Sequence, residues 1–201
     1  MFRAAAGRRS PITEPMDLAH DQFIHVRIII GIVTGLTVTR LLTGLARFVQ
    51  HPARDRIYLA HLAWAFFLLL AIVHFWWFEF GLQRIGVWKF EIYLFVICYA
   101  ALFFFLGALL FPDRMDEYSG FAEYFHSRQK WFYGLLAALF LADLIDTAIK
   151  GAAHFSAFGI GYPIRQSVLA ALALISRCSS PTAAITAPSP RWRSRRRFIG
   201  S

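Results

Sequence analysis

Charged residues are scarce in this chain: Asp, Glu, Lys and Arg together make up 16% of its 201 residues. Soluble domains carry about 25% charged residues. Because 58% of the residues are hydrophobic and 17% are aromatic, a soluble fold of this length would have too little polar surface to cover itself. The shortage of charge therefore excludes an ordinary soluble globular protein.

Cysteines and short catalytic motifs are also lacking. Cys98 and Cys178 form no CxxC pair, so neither a redox motif nor a disulfide framework is predicted. Cys98 lies in an apolar run and is expected to be a buried, inert thiol. The sequence contains no HExxH, EF-hand, Walker or GxSxG pattern. No metal site and no catalytic residue is predicted, and an enzyme is the less favoured interpretation.

The net charge of +9 does not indicate a nucleic-acid partner. Arginines crowd the two ends of the chain, within residues 1–9 and 191–197, and most of the others flank apolar segments. That distribution is typical of the topology signals of membrane proteins. The predicted partners are therefore the lipid bilayer and either a second copy of the chain or another membrane protein.

Long apolar runs take the place of charge. A helix needs about 20 apolar residues to cross the hydrocarbon core of a bilayer. Four runs reach this length, and a fifth is marginal because its uninterrupted apolar stretch covers only residues 167–175. The predicted fold is thus an all-α, polytopic integral membrane helix bundle. Its predicted spans are 23–49, 58–78, 90–111, 131–150 and, marginally, 160–176.

The two ends of the chain fall outside the predicted bundle of residues 23–176. Residues 1–22 are expected to be an extra-membrane segment, with Met16 as an alternative start directly before the first span. Residues 177–201 change abruptly to Ser, Pro, Ala and Arg, as a GC-rich gene read out of frame would give. A frame-shifted end is one interpretation of this segment. A disordered basic tail that touches anionic lipid is the other.

The basic residues of the loops predict the orientation. The first and third connections together carry six Lys or Arg, and the second and fourth carry three. The positive-inside rule then places the first and third connections in the cytoplasm of a bacterial inner membrane, with the N-terminus outside. The third connection, residues 112–130, has aromatic residues at helical spacing, and it is either an interfacial helix or a polar link.

Among the ionisable residues inside the apolar segments, four form a candidate polar seam. Asp143, Asp146 and Lys150 share one stripe of the fourth span, and the last two have the i,i+4 spacing of an ion pair. Arg40 lies well inside the first span and is the predicted partner of Asp143. Because an ionised residue at the centre of a spanning helix costs ~2.5–3.5 kcal/mol, these side chains should face other helices or water.

This polar seam of Arg40, Asp143, Asp146 and Lys150 has more than one interpretation. The functional one is a pathway for protons or a small solute. The structural one leaves only Asp143 deep in the bilayer, with Asp146 and Lys150 near the interface and with Arg40 reaching towards the headgroups. In a third, the seam belongs to an assembly subunit and docks another membrane protein. The sequence does not separate these interpretations.

Two other patterns have structural interpretations. Gly31 and Gly35 form a GxxxG pattern, which allows close approach of another helix but is common in any apolar run. Glu79 and Glu91 flank the second connection and are expected to form solvated ion pairs with the basic residues between them.

Histidines raise a further alternative, a haem-dependent electron carrier. Paired histidines on facing helices serve as haem ligands in such proteins. His61 and His74 share one span but point about 140° apart around the helix, so they face different neighbours. His25 and His74 lie at similar depth on neighbouring spans, which makes them the less favoured candidate ligands of a haem b or a metal. The favoured interpretation is that His74 hydrogen-bonds within the bundle and that His61 lies near the cytoplasmic interface.

Overall fold

The computed structural model describes residues 15–50, 59–112, 118 and 120–179, with side chains from residue 18 onwards. These residues form six α-helices and one 3-10 helix, and no strand occurs among them. The predicted all-α fold is confirmed. The α-helices are α1 (Pro15–Gln50), α2 (Leu59–Phe78), α3 (Phe90–Leu110), α4 (Phe121–Ile149), α5 (Ala152–Ala157) and α6 (Gly161–Ser179), and the 3-10 helix is Glu79–Arg84.

Four helical segments are long and apolar enough to cross a membrane, and the chain is therefore a multi-pass membrane protein. Much of their surface is exposed and apolar, as lipid-facing helices require. Cys98 lies on this exposed surface of α3, so the prediction of a buried thiol is wrong. The four segments are Leu18–Gln50, Leu59–Arg84, Phe90–Leu110 and Phe121–Ile149.

The second and third predicted spans match α2 and α3 to within one residue. Helices α1 and α4 begin earlier than predicted, and residues 121–130 are the first turns of α4 instead of a separate interfacial helix or link. Phe121, Tyr124 and Phe125 lie at helical spacing and are all buried. Their burial against the bundle explains why the helix continues into a segment of charged residues.

Helix α6 corresponds to the marginal fifth span. It lies antiparallel to α4, because Gln166 near its start bonds to Asp143 while Arg177 near its end packs over Gly134. Its 19 residues give a length of about 28 Å, close to the hydrocarbon thickness of roughly 30 Å. Gln166, Ala170 and Ala173 are buried against α4, whereas the opposite face is exposed and apolar. Of the predicted tail 177–201, residues 177–179 form the last turn of α6, so this part of the prediction is wrong, and residues 180–201 lie outside the described residues, as do residues 1–14 of the N-terminal segment.

Helix α3 packs against α1, α2 and α4. The approach of α1 to α3 occurs at Gly107, where an added Cβ would lie 3.4 Å from the methyl group of Thr37. Gly31 of the predicted GxxxG pattern faces the ring of Trp76, but Gly35 is exposed and has nothing within 4 Å of an added Cβ. The close approach that this pattern allows thus occurs at Gly31 and not at Gly35.

The two ends of the bundle differ. At the end near residues 112–120, His61 is fully buried among four phenylalanine rings whose centroids lie 5.0–6.4 Å away. These rings belong to Phe48, Phe111, Phe121 and Phe125. At the end near residues 79–89, ionisable side chains are buried instead. We call these the 112–120 end and the 79–89 end.

Candidate functional site

Buried carboxylates cluster towards the 79–89 end of the bundle. The start of the 3-10 helix, the middle of α3, the last turns of α4 and the first turns of α6 meet there. Helix α4 supplies three of the ionisable groups, because positions 143, 146 and 150 recur on one face of a helix. We call Glu79, Asp143, Asp146 and Lys150 together the carboxylate site.

Lys150 is the single ammonium group of this site. Its Nζ donates hydrogen bonds to Glu79 Oε1 at 3.0 Å and to Asp146 Oδ2. The Lys150 side chain is 1% exposed, and both carboxylates are similarly buried. The 3-10 helix passes close to the lysine, since a Cβ added at Gly81 would lie 3.0 Å from Lys150 Cδ. A glycine at this position thus gives the lysine stem room to reach Glu79.

Asp143 has a different environment, because its carboxylate accepts hydrogen bonds from neutral side chains. The hydroxyl of Tyr99 donates to Oδ1 at 3.0 Å, and the hydroxyl of Tyr162 donates to Oδ2 at 2.6 Å. The amide of Gln166 also donates to Oδ2, and Thr147 Oγ1 lies 2.7 Å from the Tyr162 hydroxyl. Hydrogen bonds to an ionised group are stronger than neutral ones, so these donors stabilise a charged Asp143.

Two oxygen atoms of the site lack a partner. Glu79 Oε2 and Asp146 Oδ1 are buried, and neither has a hydrogen-bond donor within reach among the described residues. Glu79 is 2% exposed and Asp146 is 3% exposed. A buried polar atom without a partner carries a desolvation cost of ~1–3 kcal/mol, and more for a charged group. Three carboxylates with one ammonium therefore leave capacity for a further positive charge.

A cavity of about 410 Å³ borders the carboxylate site. Glu79, Asp143 and Asp146 line it together with Tyr99, Gln166 and Arg165. The rest of the lining is mostly apolar and comes from α2, α3, α4 and α6. It comprises Phe67, Leu70, Ala71, His74, Phe75, Phe78, Phe103, Leu139, Phe140 and Leu169.

Arg40 does not belong to this site, and the predicted Arg40–Asp143 pair is wrong. Arg40 Nη2 donates to the carbonyl of Phe111 at 2.8 Å, whereas Asp143 bonds to Tyr99. Twelve residues of α3 separate Phe111 from Tyr99, which is about 18 Å along the helix axis. The carbonyl groups that end a helix carry partial negative charge and have no partner within it, so they attract the guanidinium group of a neighbouring helix.

Asp143, Asp146 and Lys150 have the predicted spacing along one helical face. Asp146 and Lys150 are more buried than the structural interpretation of the polar seam predicts. Asp146 and Lys150 form the predicted i,i+4 ion pair. Both are buried, and they do not reach the surface as an interfacial pair would. Asp143 lies deeper still, level with the middle of α3, because it bonds to Tyr99.

Glu79 is the main residue that sequence reasoning misplaced. It was expected in a solvated ion pair, but it is buried and pairs with Lys150 instead. The 3-10 helix turns this residue inward, and no local pattern marks that turn. Glu91, the other acid of the same prediction, is exposed. Tyr99, Tyr162 and Gln166 were also missed, and the only signal for them is a polar group within or beside an apolar run.

The two candidate haem ligands line different cavities. His25 stacks on Tyr93 in a cavity shared with Trp88 and Lys89, while His74 stacks on Phe78 beside the carboxylate site. In the described parts of the chain, no group of three or more His, Cys, Asp or Glu side chains is arranged to hold a metal ion. The structure thus does not bring the predicted ligand pair into one site.

A polar contact joins the end of the second spanning segment to α5 at the 79–89 end. Arg84 Nη1 lies 2.8 Å from His154 Nδ1, which links the 3-10 helix to α5. Partial burial and the nearby charges of Arg84 and Lys150 lower the pKa of His154. The imidazole is therefore neutral at pH 7, and its Nδ1 accepts a hydrogen bond from the guanidinium group of Arg84.

No protein-family model, no curated protein and no solved structure matches this chain at a significant level.

Proposed function

We propose that this protein is a membrane carrier that binds a proton or a small cation at the carboxylate site and moves it across the bilayer. The observation that supports this proposal is the pair of buried, unpartnered oxygen atoms on Glu79 and Asp146. They lie in a site where, among the described residues, three carboxylates meet one ammonium group. A proton or a monovalent cation is the simplest species that reduces this negative charge and gives the oxygen atoms a partner.

The physical basis of the proposal is the cost of unbalanced charge in a medium of low dielectric constant. A buried carboxylate without a counter-charge is strongly disfavoured, whereas a neutralised one is tolerated. Uptake of one positive charge therefore stabilises the buried state of the carboxylate site. Release of that charge favours a state in which the site is open to water. Ionisable groups within membrane spans commonly serve as relays of this kind.

The rest of the bundle supports a carrier better than an open channel. A layer of buried apolar side chains separates the carboxylate site from the 112–120 end, including Leu68, Leu106, Phe132 and Leu136. The buried hydroxyl of Thr37 bonds to a carbonyl of its own helix and adds no polar route. An ion bound at the site would thus reach the other end only after the helices rearrange, as in alternating access.

The basic residues of the loops indicate how this carrier is oriented in the membrane. We place the 79–89 end on the outer side of a bacterial inner membrane, with residues 51–58 and 112–120 in the cytoplasm, because the first and third connections carry the larger number of basic residues. In this orientation the carboxylate site binds its ion from the outer side. Arg40 then lies near the cytoplasmic headgroups.

The proposal is tested by proton flux in liposomes that contain the purified full chain and a pH-sensitive dye. An imposed pH gradient should collapse faster with the protein than without it. Asp143→Asn and Asp146→Asn keep the side-chain shape but remove the charge, and we expect both to reduce this flux to the level of empty liposomes. Glu91→Gln is the matched control, because Glu91 is exposed at the same end of the bundle.

Two results would contradict a proton carrier. One is a wild-type flux no greater than that of empty liposomes, with sodium and potassium gradients giving the same result. The other is normal flux in both aspartate variants. The first result would favour the alternative of an assembly subunit, for which a membrane partner should copurify with the chain in fixed ratio.

A further inference from the structure

The cavity beside the carboxylate site opens sideways, between α2 and α6. Among the described residues these two helices do not pack against one another, although both flank α4. Leu70 of α2 lines the cavity and is 55% exposed, and Phe67 lines it on the same side. The opening therefore faces the hydrocarbon of the bilayer, and a molecule dissolved in the membrane can reach the cavity without crossing water.

The polar and apolar parts of the cavity lie at different depths. Glu79 marks the 79–89 end, and Phe67 lies twelve residues earlier in the same helical segment, which is about 18 Å away along its axis. A ligand that fills the cavity thus places a charged group beside the carboxylates and an apolar body towards the middle of the bilayer. Amphiphiles already adopt this orientation in a membrane.

The charges of the cavity select the sign of the ligand. Glu79, Asp143 and Asp146 face two basic side chains, Lys150 and Arg165, so one negative charge is unbalanced. Arg165 lines the same cavity, exposed and over the ring of Tyr162 at 5.7 Å from its centroid, so it adds its charge to the cavity without a direct ion pair to a carboxylate. One positive charge on the ligand would balance the site.

The aromatic side chains that line the cavity also favour a cationic ligand. Phenylalanine and tyrosine faces attract cations, with a contribution of ~0.5–2 kcal/mol that grows when water is excluded. Phe67, Phe75, Phe78, Phe103 and Phe140 line the cavity, with Tyr99 beside the carboxylates. A volume of about 410 Å³ is within the range of small-molecule sites.

We infer that this cavity binds a hydrophobic monovalent cation, such as an amine or a quaternary onium ion, that enters from the bilayer between α2 and α6. The inference rests on the proposed function, since the ligand and the proton would use the same carboxylates. It adds the class of solute that such a carrier would exchange for protons. Bound ligand and bound proton then exclude one another, because the site has capacity for one positive charge.

The test compares two ions of the same shape and opposite charge. Tetraphenylphosphonium and tetraphenylborate are each titrated into the full chain in lipid nanodiscs, with empty nanodiscs subtracted. We expect saturable binding of one phosphonium ion per chain, and binding of the borate at least about tenfold weaker. Phosphonium binding should also weaken as the pH falls. Equal binding of the two ions, or binding that does not saturate, would overturn the inference.

Two variants test where the ligand lies. Ala71 lines the cavity, and Ala71→Phe fills part of it. We expect this variant to lose phosphonium binding about tenfold or more. Ala63→Phe is the matched control, because Ala63 is exposed on the same helix and does not line the cavity. Unchanged phosphonium binding in Ala71→Phe would contradict the assigned position.

The two proposals fail in different ways. Saturable, charge-selective phosphonium binding without proton flux would support the inferred binding site and contradict the proposed carrier. The opposite result is proton flux that requires Asp143 and Asp146 without selective phosphonium binding. It would support the proposed carrier and contradict the inferred class of solute.

Discussion

At the scale of single residues, Lys150 has the largest electrostatic consequence. It is the one ammonium group that bonds to both Glu79 and Asp146, and all three side chains are buried. Breaking a buried ion pair from one side leaves an uncompensated charge, which is more destabilising than replacing the whole pair with neutral groups. The lysine therefore stabilises the site, whereas the aspartates are the groups proposed to function.

The first stability prediction follows from this asymmetry. Lys150→Met should lower the free energy of unfolding by ~3–5 kcal/mol, because two buried carboxylates lose their counter-charge. Thermal unfolding in detergent, followed by circular dichroism, measures this change. Adding Glu79→Gln and Asp146→Asn to the same chain should recover much of the loss. Lys89→Met is the control, because Lys89 is exposed at the same end. A Lys150→Met chain as stable as this control would show that the ion pairs contribute little.

At the scale of helical elements, close approach of helices depends on where a glycine faces. Gly44 of α1 is buried against α3, and a Cβ added there would overlap with the ring of Phe111. That ring packs in turn on His61, so the overlap would disturb the aromatic cluster at the 112–120 end. Gly35 lies on the same helix and faces open space.

These two glycines provide a matched pair of substitutions. Gly44→Ala should destabilise the bundle by ~1–3 kcal/mol, since Phe111 has to move out of a filled core. Gly35→Ala should be neutral or slightly stabilising, because alanine has the higher helix propensity and meets no neighbour. Thermal unfolding of both variants under the same conditions measures the difference. Equal stability of the two would mean that α1 does not approach α3 as closely as the structure indicates.

The contact between the 3-10 helix and α5 predicts a dependence on pH. The pKa of His154 lies below the ordinary histidine value because of partial burial and the charges of Arg84 and Lys150. The unfolded chain therefore takes up this proton first as the pH falls. The stabilising contribution is complete above about pH 6.5 and is lost below it, as the pH falls through the lowered pKa of the folded state.

The titration of His154 can be followed directly by NMR of the ring resonances in detergent micelles. The wild-type imidazole should titrate below about pH 6.5. Arg84→Gln should raise the pKa of His154 towards the ordinary value, because it removes one of the two nearby positive charges. A His154 pKa that does not change in this variant would argue that burial alone depresses it.

At the scale of the whole molecule, the spanning segments of the bundle are mostly apolar, and its buried carboxylates collect at the 79–89 end. A long helix such as α1 carries ionisable groups towards both ends, so a stripe on a helical wheel does not identify which groups meet. Arg40 and Asp143 are an example, because they lie inside spans as predicted but about 18 Å apart along α3. The depth of each group along the bundle decides which groups pair. The sequence does not give the depth of one helix relative to another.

Individual residues show how far the sequence was informative. The Asp146–Lys150 pair was predictable, because both groups lie on one helix and spacing alone brings them together. The Glu79–Lys150 pair was not predictable, because the two residues lie 71 positions apart. The inward direction of Glu79 also depends on a 3-10 helix that has no local sequence signature. The donors to Asp143 from Tyr99 and Tyr162 lie on two other helices, so the same limit applies to them.

The sequence by itself determined that the chain is all-α with four long apolar helices, and it located α2 and α3 to within one residue, because the hydrophobic effect acts on local runs of residues. It also determined that Asp143, Asp146 and Lys150 share one face of a helix. Only the tertiary structure decided which groups complete the carboxylate site and that Arg40 is not among them. Pairing between helices depends on their relative depth and rotation, and these are set by packing over the whole bundle.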